Sequence, residues 1–248
     1  MRNLSAWDLL NVWERGWAQT ATQRALLLLA AASPDTPTHT LAELSIGQRD
    51  GCLLALRELV FGPQLVCLAT CPACRERLEL NFCVADIRTA GGADEARASE
   101  PISLSAGGCE ALFRLPNSLD LAAIASHQDA AEGRRLLLAR CLVYVRRDGE
   151  ALDPAHMPED VVSAVVERMA QADPQADVQL DLSCPVCDHE WRAAFDIGSF
   201  FWGEIDAWAH RTLHQVHALA TAYGWREADI LNMSPWRRQY YLEMVGAA

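Results

Sequence analysis

The stretch CPACRERLEL at residues 71–80 and the stretch CPVCDHEW at residues 184–191 carry the same Cys-Pro-x-Cys motif. Alternating apolar residues flank both copies, as in DVQLDLS before the second one, and this alternation predicts a strand on each side of the motif. The chain therefore contains a strand, CPxC, strand unit twice. These two units decide the predicted fold, because the rest of the chain is predicted to be mainly helical.

The two motifs together supply four thiolates, the ligand set of a closed tetrahedral zinc site. The two-residue spacer lets a tight turn direct both sulfurs at one ion, and the proline fixes φ in that turn. We therefore predict a structural zinc ion bound by Cys71, Cys74, Cys184 and Cys187. Because four thiolates leave no open position for water or substrate, this zinc is not expected to be catalytic.

Other interpretations of the motifs stay open at this point. A redox CxxC pair normally ends a strand and opens a helix, whereas a strand-like segment follows each motif here. Buried cysteines without any ligand are the plainer alternative. Residues 75–183 separate the pairs, against about 15–20 residues in a simple zinc ribbon. Each pair could instead bind metal together with another chain, or with His189 as a substitute ligand.

Composition restricts the class of partner. The chain has 248 residues and a formal net charge of −12. An acidic chain is a poor partner for nucleic acid, since affinity for phosphates comes mainly from Lys and Arg. The longest apolar run, Ala25–Ala32, is far shorter than the ~20 residues of a membrane helix, and the N-terminus has no signal-peptide pattern. We therefore expect a cytoplasmic protein with reduced thiols, without nucleic acid or membrane partners.

The predicted fold class is α+β and predominantly helical, with a split four-cysteine zinc-ribbon-like β element, a helical insert and C-terminal helices. A polar linker or loop is expected at residues 88–101. The predicted segments are an N-terminal helical segment (1–62), a first zinc knuckle with strands (63–100), the helical insert (101–175), a second zinc knuckle with strands (176–198) and aromatic-rich C-terminal helices (199–248).

Local signals predict where several helices begin and end. Asp50 is expected to cap a helix that Gly62 ends, because glycine is common just past a helix C-terminus. In the insert, Asn117 or Ser118 is expected to cap one helix, and Arg134–Val145 is expected to form another. The remaining cysteines have no ligand spacing and are interpreted as small core residues. They are Cys52, Cys67, Cys83, Cys109 and Cys141.

The C-terminal segment is rich in aromatic residues and arginine, which are enriched at interface hot spots. Taken singly, each aromatic residue is expected to pack in a core, but the set also suits a docking surface. His210, His214 and His217 share one helix face, which fits a solvated face, a partner contact or a second metal site. The candidate partner-binding residues are Trp202, Trp208, His210, His214, His217, Trp225, Trp236, Arg237, Arg238, Tyr240 and Tyr241.

Catalytic motifs are not found in the sequence. It has no nucleophile elbow, P-loop, glycine-rich dinucleotide turn or HExxH motif. The paired acids Glu204 and Asp206 stand two apart on a predicted helix and so do not face each other. We therefore expect that the protein is not an enzyme.

Several stretches together resemble a known family. They are LLNVWERGWAQTATQRALLLLAAA, LRELVFGPQLVCLATCPACRERLEL, DPQADVQLDLSCPVCDHEW and the tail from IDAWAHRTLHQVHALATAYG to YYLEMV. These are similar to the T4-type baseplate proteins of contractile phage tails and extracellular contractile injection systems. The pattern H-x-L-A-x-x-Y-G-W-x-x-x-x-I-L-x-M near the C-terminus is its most specific part.

The resemblance implies a non-enzymatic component or assembly factor of a baseplate hub. Such a protein would bind other baseplate or tail proteins, such as hub, spike or wedge proteins, and could be incorporated into a phage tail-like particle. Only the cysteines of the two motifs carry over position by position. Two alternative functions remain, namely a zinc-ribbon adaptor for nucleic acid or transcription machinery, and a CxxC thiol oxidoreductase.

Overall fold

The computed structural model describes residues 1–89, 100–127 and 129–246 of the chain. They form two compact units, one from Met1–Pro34 with Gly198–Ala248 and the other from Asp35–Ile197. The first unit is helical, and the second combines helices with small antiparallel sheets. The α+β, predominantly helical fold class is therefore confirmed.

The elements follow one another along the chain with short connections. In chain order the helices are α1 (Ala6–Gly16), α2 (Ala21–Ala32), α3 (Thr38–Glu43), α4 (Ile46–Phe61), α5 (Val84–Ile87), α6 (Ser118–Ile124), α7 (Ala130–Cys141), α8 (Glu159–Ala172), α9 (Ile197–Tyr223), α10 (Glu227–Leu231) and α11 (Pro235–Met244). The strands are β1 (Gln64–Thr70), β2 (Arg77–Cys83), β3 (Ile102–Ala106), β4 (Cys109–Phe113), β5 (Leu142–Arg147), β6 (Glu150–Ala151), β7 (Val178–Ser183) and β8 (Glu190–Phe195). Short 3-10 turns lie at Pro154–His156 and Pro174–Ala176.

The smaller unit is held together by apolar faces of α1, α9, α10 and α11. Its buried cluster consists of Leu10, Ala209, Val216, Leu219, Ile230, Leu231 and Leu242. Polar contacts add to this packing, because the indole Nε1 of Trp13 on α1 donates to Oδ1 of Asp206 on α9 at 2.8 Å. A Cβ at Gly16 would come within 2.3 Å of the Trp202 ring, so the close approach of these two helices requires glycine there.

The start of α4 differs from the prediction. Ser45 caps the helix, since its side chain accepts a hydrogen bond from the backbone N–H of Gln48. Asp50 lies inside the helix instead, is buried, and accepts from Nε of Arg49 at 2.7 Å. The predicted end is confirmed, because Gly62 follows the last helical residue with φ +88°. Ser45 is the better cap because Gln48 stands three residues after it and completes a capping box.

Two separate hairpins carry the CPxC motifs, as predicted. Strands β1 and β2 pair from Gln64↔Cys83 to Thr70↔Arg77, and strands β7 and β8 pair from Val178↔Phe195 to Ser183↔Glu190. In β2, β7 and β8 partly buried residues alternate with exposed ones. Each motif therefore forms the turn at the tip of a hairpin.

The insert contains a sheet where only helices were predicted. Strands β3, β4, β5 and β6 form a four-stranded antiparallel sheet in that order. The predicted helix Arg134–Val145 is wrong in its last turn, because α7 ends at Cys141 and β5 begins at Leu142. The sequence Leu-Val-Tyr-Val favours a strand through its β-branched and aromatic residues, and pairing with β4 buries Val145. The helix therefore ends at Cys141, although the residues before this position favour a helix.

A helix start predicted in the insert is confirmed, and the linker predicted just before the insert lies mostly outside the described residues. Asn117 caps α6 by accepting from the backbone N–H groups of Leu119 and Asp120. The linker or loop expected at residues 88–101 falls mostly outside the described residues, which resume at Glu100.

A buried polar turn next to β7 links the first part of the larger unit to its last part. The carboxylate of Asp173 accepts from the backbone N–H of Gly47, near the start of α4, at 2.9 Å. Gln175 accepts from the backbone N–H of Thr89 at 2.8 Å and donates to the carbonyl of Ile87 at 3.2 Å. These bonds tie the approach to the second hairpin to the helices on either side of the first one.

Candidate metal centre

The first CPxC turn is fixed by its own backbone. The N–H of Cys71 donates to the carbonyl of Glu76, and the N–H of Arg75 donates to the carbonyl of Cys71, both at 2.9 Å. Arg75 takes a left-handed backbone conformation with φ +65°. This turn points the sulfurs of Cys71 and Cys74 to the same side.

The second turn repeats the same backbone bonds. The N–H of Cys184 donates to the carbonyl of His189 at 3.0 Å, and the N–H of Asp188 donates to the carbonyl of Cys184 at 2.9 Å. Asp188, the counterpart of Arg75, has φ +56°. The two CPxC motifs therefore fold into the same knuckle, although the residue between proline and the second cysteine and the residues that follow differ.

The two knuckles meet tip to tip in space. The Sγ atoms of Cys71 and Cys187 are 3.7 Å apart, and those of Cys74 and Cys184 are 3.6 Å apart. All four sulfurs lie within 4.8 Å of one another. A regular tetrahedron with Zn–S bonds of about 2.3 Å has sulfurs about 3.8 Å apart. The cluster therefore has the dimensions of a four-thiolate metal site.

Burial differs within each knuckle in the same way. The first cysteine of each motif, Cys71 and Cys184, is fully buried, and the second, Cys74 and Cys187, is exposed. The sulfur cluster consequently lies at the edge of the larger unit, with one side toward solvent. Such a position gives an ion a route to the site without opening the core.

The sulfurs influence one another's ionisation. Burial opposes ionisation of Cys71, but hydrogen bonds from the backbone N–H groups of Cys74 and Ala73 and from neighbouring thiols lower the pKa of Cys71 to about 6. The N–H of His189 favours the Cys187 thiolate, but the neighbouring sulfurs and burial outweigh it and raise the pKa of Cys187 to about 12. Four thiolates are thus not favoured together without a cation, and a bound metal deprotonates its thiol ligands.

The geometry separates the alternatives for these cysteines. The chain has nine cysteines and none forms a disulfide; the close pairs lie well beyond the ~2.05 Å of an S–S bond. A strand, not a helix, follows each motif, so the helix N-terminus that activates redox CxxC pairs is missing from both described hairpins. His189 is not one of the four clustered residues, and its ring stacks on Trp191 instead.

The other five cysteines divide by burial. Cys109 and Cys141 are buried core residues, and burial raises the pKa of the Cys141 thiol to about 11. Cys52, Cys67 and Cys83 are only partly buried. None of the five belongs to the sulfur cluster, which is formed by the four motif cysteines. Their interpretation as core residues is thus confirmed for two of them.

The candidate partner-binding residues occupy different depths in the smaller unit. Trp202 and Arg238 are buried, and Nε and Nη1 of Arg238 have no hydrogen-bond partner among the described residues. Three others pack partly against the buried cluster, namely Trp208, Trp225 and Tyr241. The side chains of Trp236, Arg237 and Tyr240 are exposed on α11. Partner contact by these residues stays a prediction.

The three histidines of α9, His210, His214 and His217, are exposed, which fits the solvated face that was one interpretation of them. His210 packs its ring against the edge of Trp13, with 5.5 Å between ring centroids, and lies 3.7 Å from Asp206. Among the described residues, those grouped closely enough to hold a metal ion do not include His210, His214 or His217. Contact of this face with a partner stays a prediction.

Comparison with protein families gives a match over most of the chain. A family model described as T4 bacteriophage base plate protein matches residues 23–202, well over half of the chain. The chain belongs to this family. The resemblance inferred from the sequence is therefore confirmed, and the matched range includes both CPxC hairpins of this baseplate-family chain.

The match ends at residue 202, so most of α9 and all of α10 and α11 lie beyond it. The C-terminal pattern that contributed to the resemblance is thus outside the range that the family model covers. A search of curated proteins and a search of solved structures each return no match. Within the described part of the chain, no helix is both long and apolar enough to span a membrane.

Proposed function

We propose that this chain is a non-enzymatic structural or assembly component of the baseplate of a contractile tail or injection system. The observation that carries the proposal is the family match over residues 23–202. The protein acts by binding other baseplate or tail proteins, such as hub, spike or wedge proteins. It works within a phage tail-like particle or during the assembly of one.

A structural zinc ion held by Cys71, Cys74, Cys184 and Cys187 is part of the proposal. Sulfur spacings of 3.6 and 3.7 Å support zinc, because they match the edge of a tetrahedral four-thiolate site. Zinc would supply a cross-link, with no reactive position left open. The backbone turns of the two knuckles hold the sulfurs toward that ion, and their N–H groups support thiolate charge.

This cross-link would stabilise the folded state because it closes a long stretch of chain. Cys74 and Cys184 stand 110 positions apart in the sequence. A covalent link across a loop of about 100 residues removes about 4.7 kcal/mol of chain entropy from the unfolded state in the standard model. A metal that binds only the folded site adds its binding free energy to folding in the same way. The zinc is therefore proposed as a clasp between the early and late parts of the larger unit.

The docking surface is proposed on α11 of the smaller unit. Trp236, Tyr240 and Met244 are spaced by four residues, and their exposed fractions are 86%, 61% and 61%. Side chains at this spacing share one helix face, so the three form an apolar stripe in water. Arg237 lies beside the stripe, with its guanidinium 6.0 Å from the Tyr241 ring. Exposed aromatic side chains of this kind are typical anchors of protein interfaces.

Metal content is the first test of the proposal. Elemental analysis of the purified chain is expected to give one zinc per chain, and Cys184→Ser is expected to lower this value to near zero. Cys52→Ser is the matched control, because Cys52 lies outside the sulfur cluster and its loss is expected to leave zinc bound. A folded wild-type chain without any metal would remove the zinc from the proposal and leave the baseplate role intact.

The baseplate role needs a separate test on the assembled particle. We expect an epitope-tagged chain to co-purify with tail particles, or with a baseplate subcomplex, when the genes of the whole system are expressed. Deletion of its gene is expected to give particles that lack complete baseplates in electron micrographs. Intact and functional particles without the gene would contradict the role, whatever the metal content of the chain.

A further inference from the structure

A groove runs between the two CPxC hairpins of the larger unit. Its volume is about 580 Å³, within the 300–1,000 Å³ range of common ligand sites. One wall consists of residues 79–82 of β2. The other consists of residues 177–182, which begin just before β7 and continue along it. Asp86, Ile87, Thr89 and Pro174 complete the lining. We name it the hairpin groove.

The lining pattern shows that the groove follows strand edges. Successive side chains of a strand point to opposite faces, so a groove on one face would be lined by alternate residues. Here neighbouring residues line it without a gap on both strands. Among the described residues, β2 pairs only with β1 and β7 pairs only with β8, so each strand has an edge without a strand partner. Such an edge offers backbone N–H and C=O groups for pairing.

The two edges run antiparallel to each other. At one end the sulfur of Cys74, just before β2, lies 3.6 Å from the sulfur of Cys184, just after β7. At the other end Phe82, near the end of β2, packs edge-on against Phe195, which pairs with Val178 at the start of β7. Contacts therefore hold the hairpins together at both ends, and the groove lies between them.

The negative charge of the groove favours a bound segment that carries basic side chains. Four carboxylates line it, namely Glu79, Asp86, Asp177 and Asp181, and none of the described lining residues is basic. Asp181 accepts a surface hydrogen bond from Arg192, whereas Glu79 accepts from the neutral side-chain amide of Asn81 and Asp177 from that of Gln179. An extended segment with basic side chains would meet opposite charge along the groove and strand edges beside it.

We propose that the hairpin groove binds an extended, lysine- or arginine-bearing segment of a partner protein by strand addition to β2, β7 or both. This goes beyond the aromatic surface of α11 and rests only on the general premise that the chain works by binding proteins. Backbone pairing supplies affinity that is independent of sequence, and the carboxylates select basic side chains. The four cysteines of the sulfur cluster do not line the groove, so this binding does not use the candidate metal site.

The composition of the chain allows a direct test of the bound position. All 21 of its basic residues are arginine, so lysine is missing from the whole sequence. Carbodiimide therefore joins carboxylates of this chain to the lysines of an added peptide, apart from reactions of the chain's own α-amino group. The probe is an eight-residue peptide of alternating lysine and valine, acetylated and amidated at its ends. Mass spectrometry is expected to place most cross-links at Glu79, Asp177 and Asp181.

Controls separate strand addition from loose electrostatic attraction. A glutamate–valine peptide is expected to give no saturable binding, and a lysine–proline peptide is expected to bind at least about fivefold more weakly because proline removes N–H donors. The double variant Glu79→Gln/Asp177→Asn is expected to bind the lysine–valine peptide about tenfold more weakly. The variant Glu167→Gln/Glu190→Gln has the same change in net charge outside the groove and is expected to bind as the wild type does.

Hydrogen exchange supplies the second measurement. Bound peptide is expected to slow amide exchange at residues 79–82 and 178–182 of the zinc-loaded chain. Cross-links scattered over the acidic surface, or equal binding of the lysine–valine and lysine–proline peptides, would overturn the proposal. Trp236→Ser is expected to leave peptide binding unchanged, so failure of the α11 docking surface and failure of the hairpin groove give different results.

Discussion

The sulfur of Cys71 lies 3.7 Å from the sulfur of Cys187, although 116 positions separate the two residues along the chain. The contact joins the tips of two hairpins that do not pair with each other. Since the sheets themselves do not connect the hairpins, the sulfur cluster and the Phe82–Phe195 contact hold their ends together. Loss of a metal ion from this cluster is therefore expected to loosen the larger unit as a whole.

The first prediction concerns stability. Removal of zinc by a chelator, or the substitution Cys184→Ser, is expected to lower the melting temperature by about 10 °C or more, because metal binding contributes directly to folding. Thermal unfolding followed by circular dichroism measures the effect. Cys52→Ser is expected to shift it by no more than a few degrees. An equal melting temperature with and without chelator would show that the clasp contributes nothing to folding.

The second prediction concerns thiol reactivity. Cys74 and Cys187 are exposed, yet as proposed zinc ligands both are expected to resist alkylation until the metal is removed. Quantitative mass spectrometry after a short treatment with N-ethylmaleimide measures this protection. The four motif cysteines are expected to react only in the presence of chelator. Rapid alkylation of Cys74 in zinc-loaded protein would favour free thiols and revive the redox interpretation.

The third prediction concerns the bond between Gly47 and Asp173. A Cβ at position 47 would lie 1.9 Å from Oδ1 of Asp173, so Gly47→Ala is expected to break this bond and destabilise the chain by about 2–3 kcal/mol. Urea unfolding provides the measurement. Gly203→Ala is the matched control, because Gly203 is also helical but has open space around it. That substitution is expected to be neutral or stabilising by up to about 1 kcal/mol.

The fourth prediction concerns the buried carboxylate of Asp120. Burial opposes its ionisation, but hydrogen bonds from Arg114, the backbone N–H of Asn117 and Arg140 lower the pKa of Asp120 below its ordinary value. Because the folded-state pKa is the lower one, the stabilisation is present above about pH 4 and is lost as the pH falls through the folded-state pKa.

Asp120→Asn is therefore expected to destabilise the protein by about 3 kcal/mol at pH 7, at the lower end for buried ion pairs since both arginines are partly exposed. The difference from wild type is expected to shrink steadily below pH 4 in urea unfolding. Asp181→Asn removes an exposed ion pair and serves as the control, with an expected change below about 1 kcal/mol. A difference that grows in acid would contradict the assigned direction of the pKa.

The fifth prediction concerns docking. Trp236→Ser is expected to weaken association with the baseplate partner by about 30-fold or more while leaving the melting temperature unchanged, because the side chain is 86% exposed. Binding of the wild-type and variant chains to purified baseplate subcomplex measures it. Trp7→Ser provides the control, since Trp7 is 56% exposed on α1 and outside the stripe. An unchanged affinity for Trp236→Ser would place the interface elsewhere.

Sequence patterns predicted much of the fold because strand alternation and helix ends depend mainly on residues that are close in the sequence. The alternation around each CPxC motif predicted the hairpins, and single residues predicted helix ends, namely Asn117 at the start of α6 and Gly62 at the end of α4. The last turn predicted for α7 failed for the opposite reason. Leu142–Arg147 becomes a strand only because β4 is available beside it, and a single sequence does not show which strand will be the neighbour.

The sequence by itself determined the donor set, because two CPxC turns each bring two sulfurs together over a few residues whatever the rest of the chain does. Tertiary structure alone decided that the two turns meet, since contact between residues more than 100 positions apart depends on the packing between them. It also decided which aromatic residues stay in water. Trp202 and Trp236 look alike in the sequence, yet neighbouring helices cover the first and leave the second exposed. The hairpin groove likewise exists only in the fold, because it is formed by the edges of strands from both ends of the larger unit.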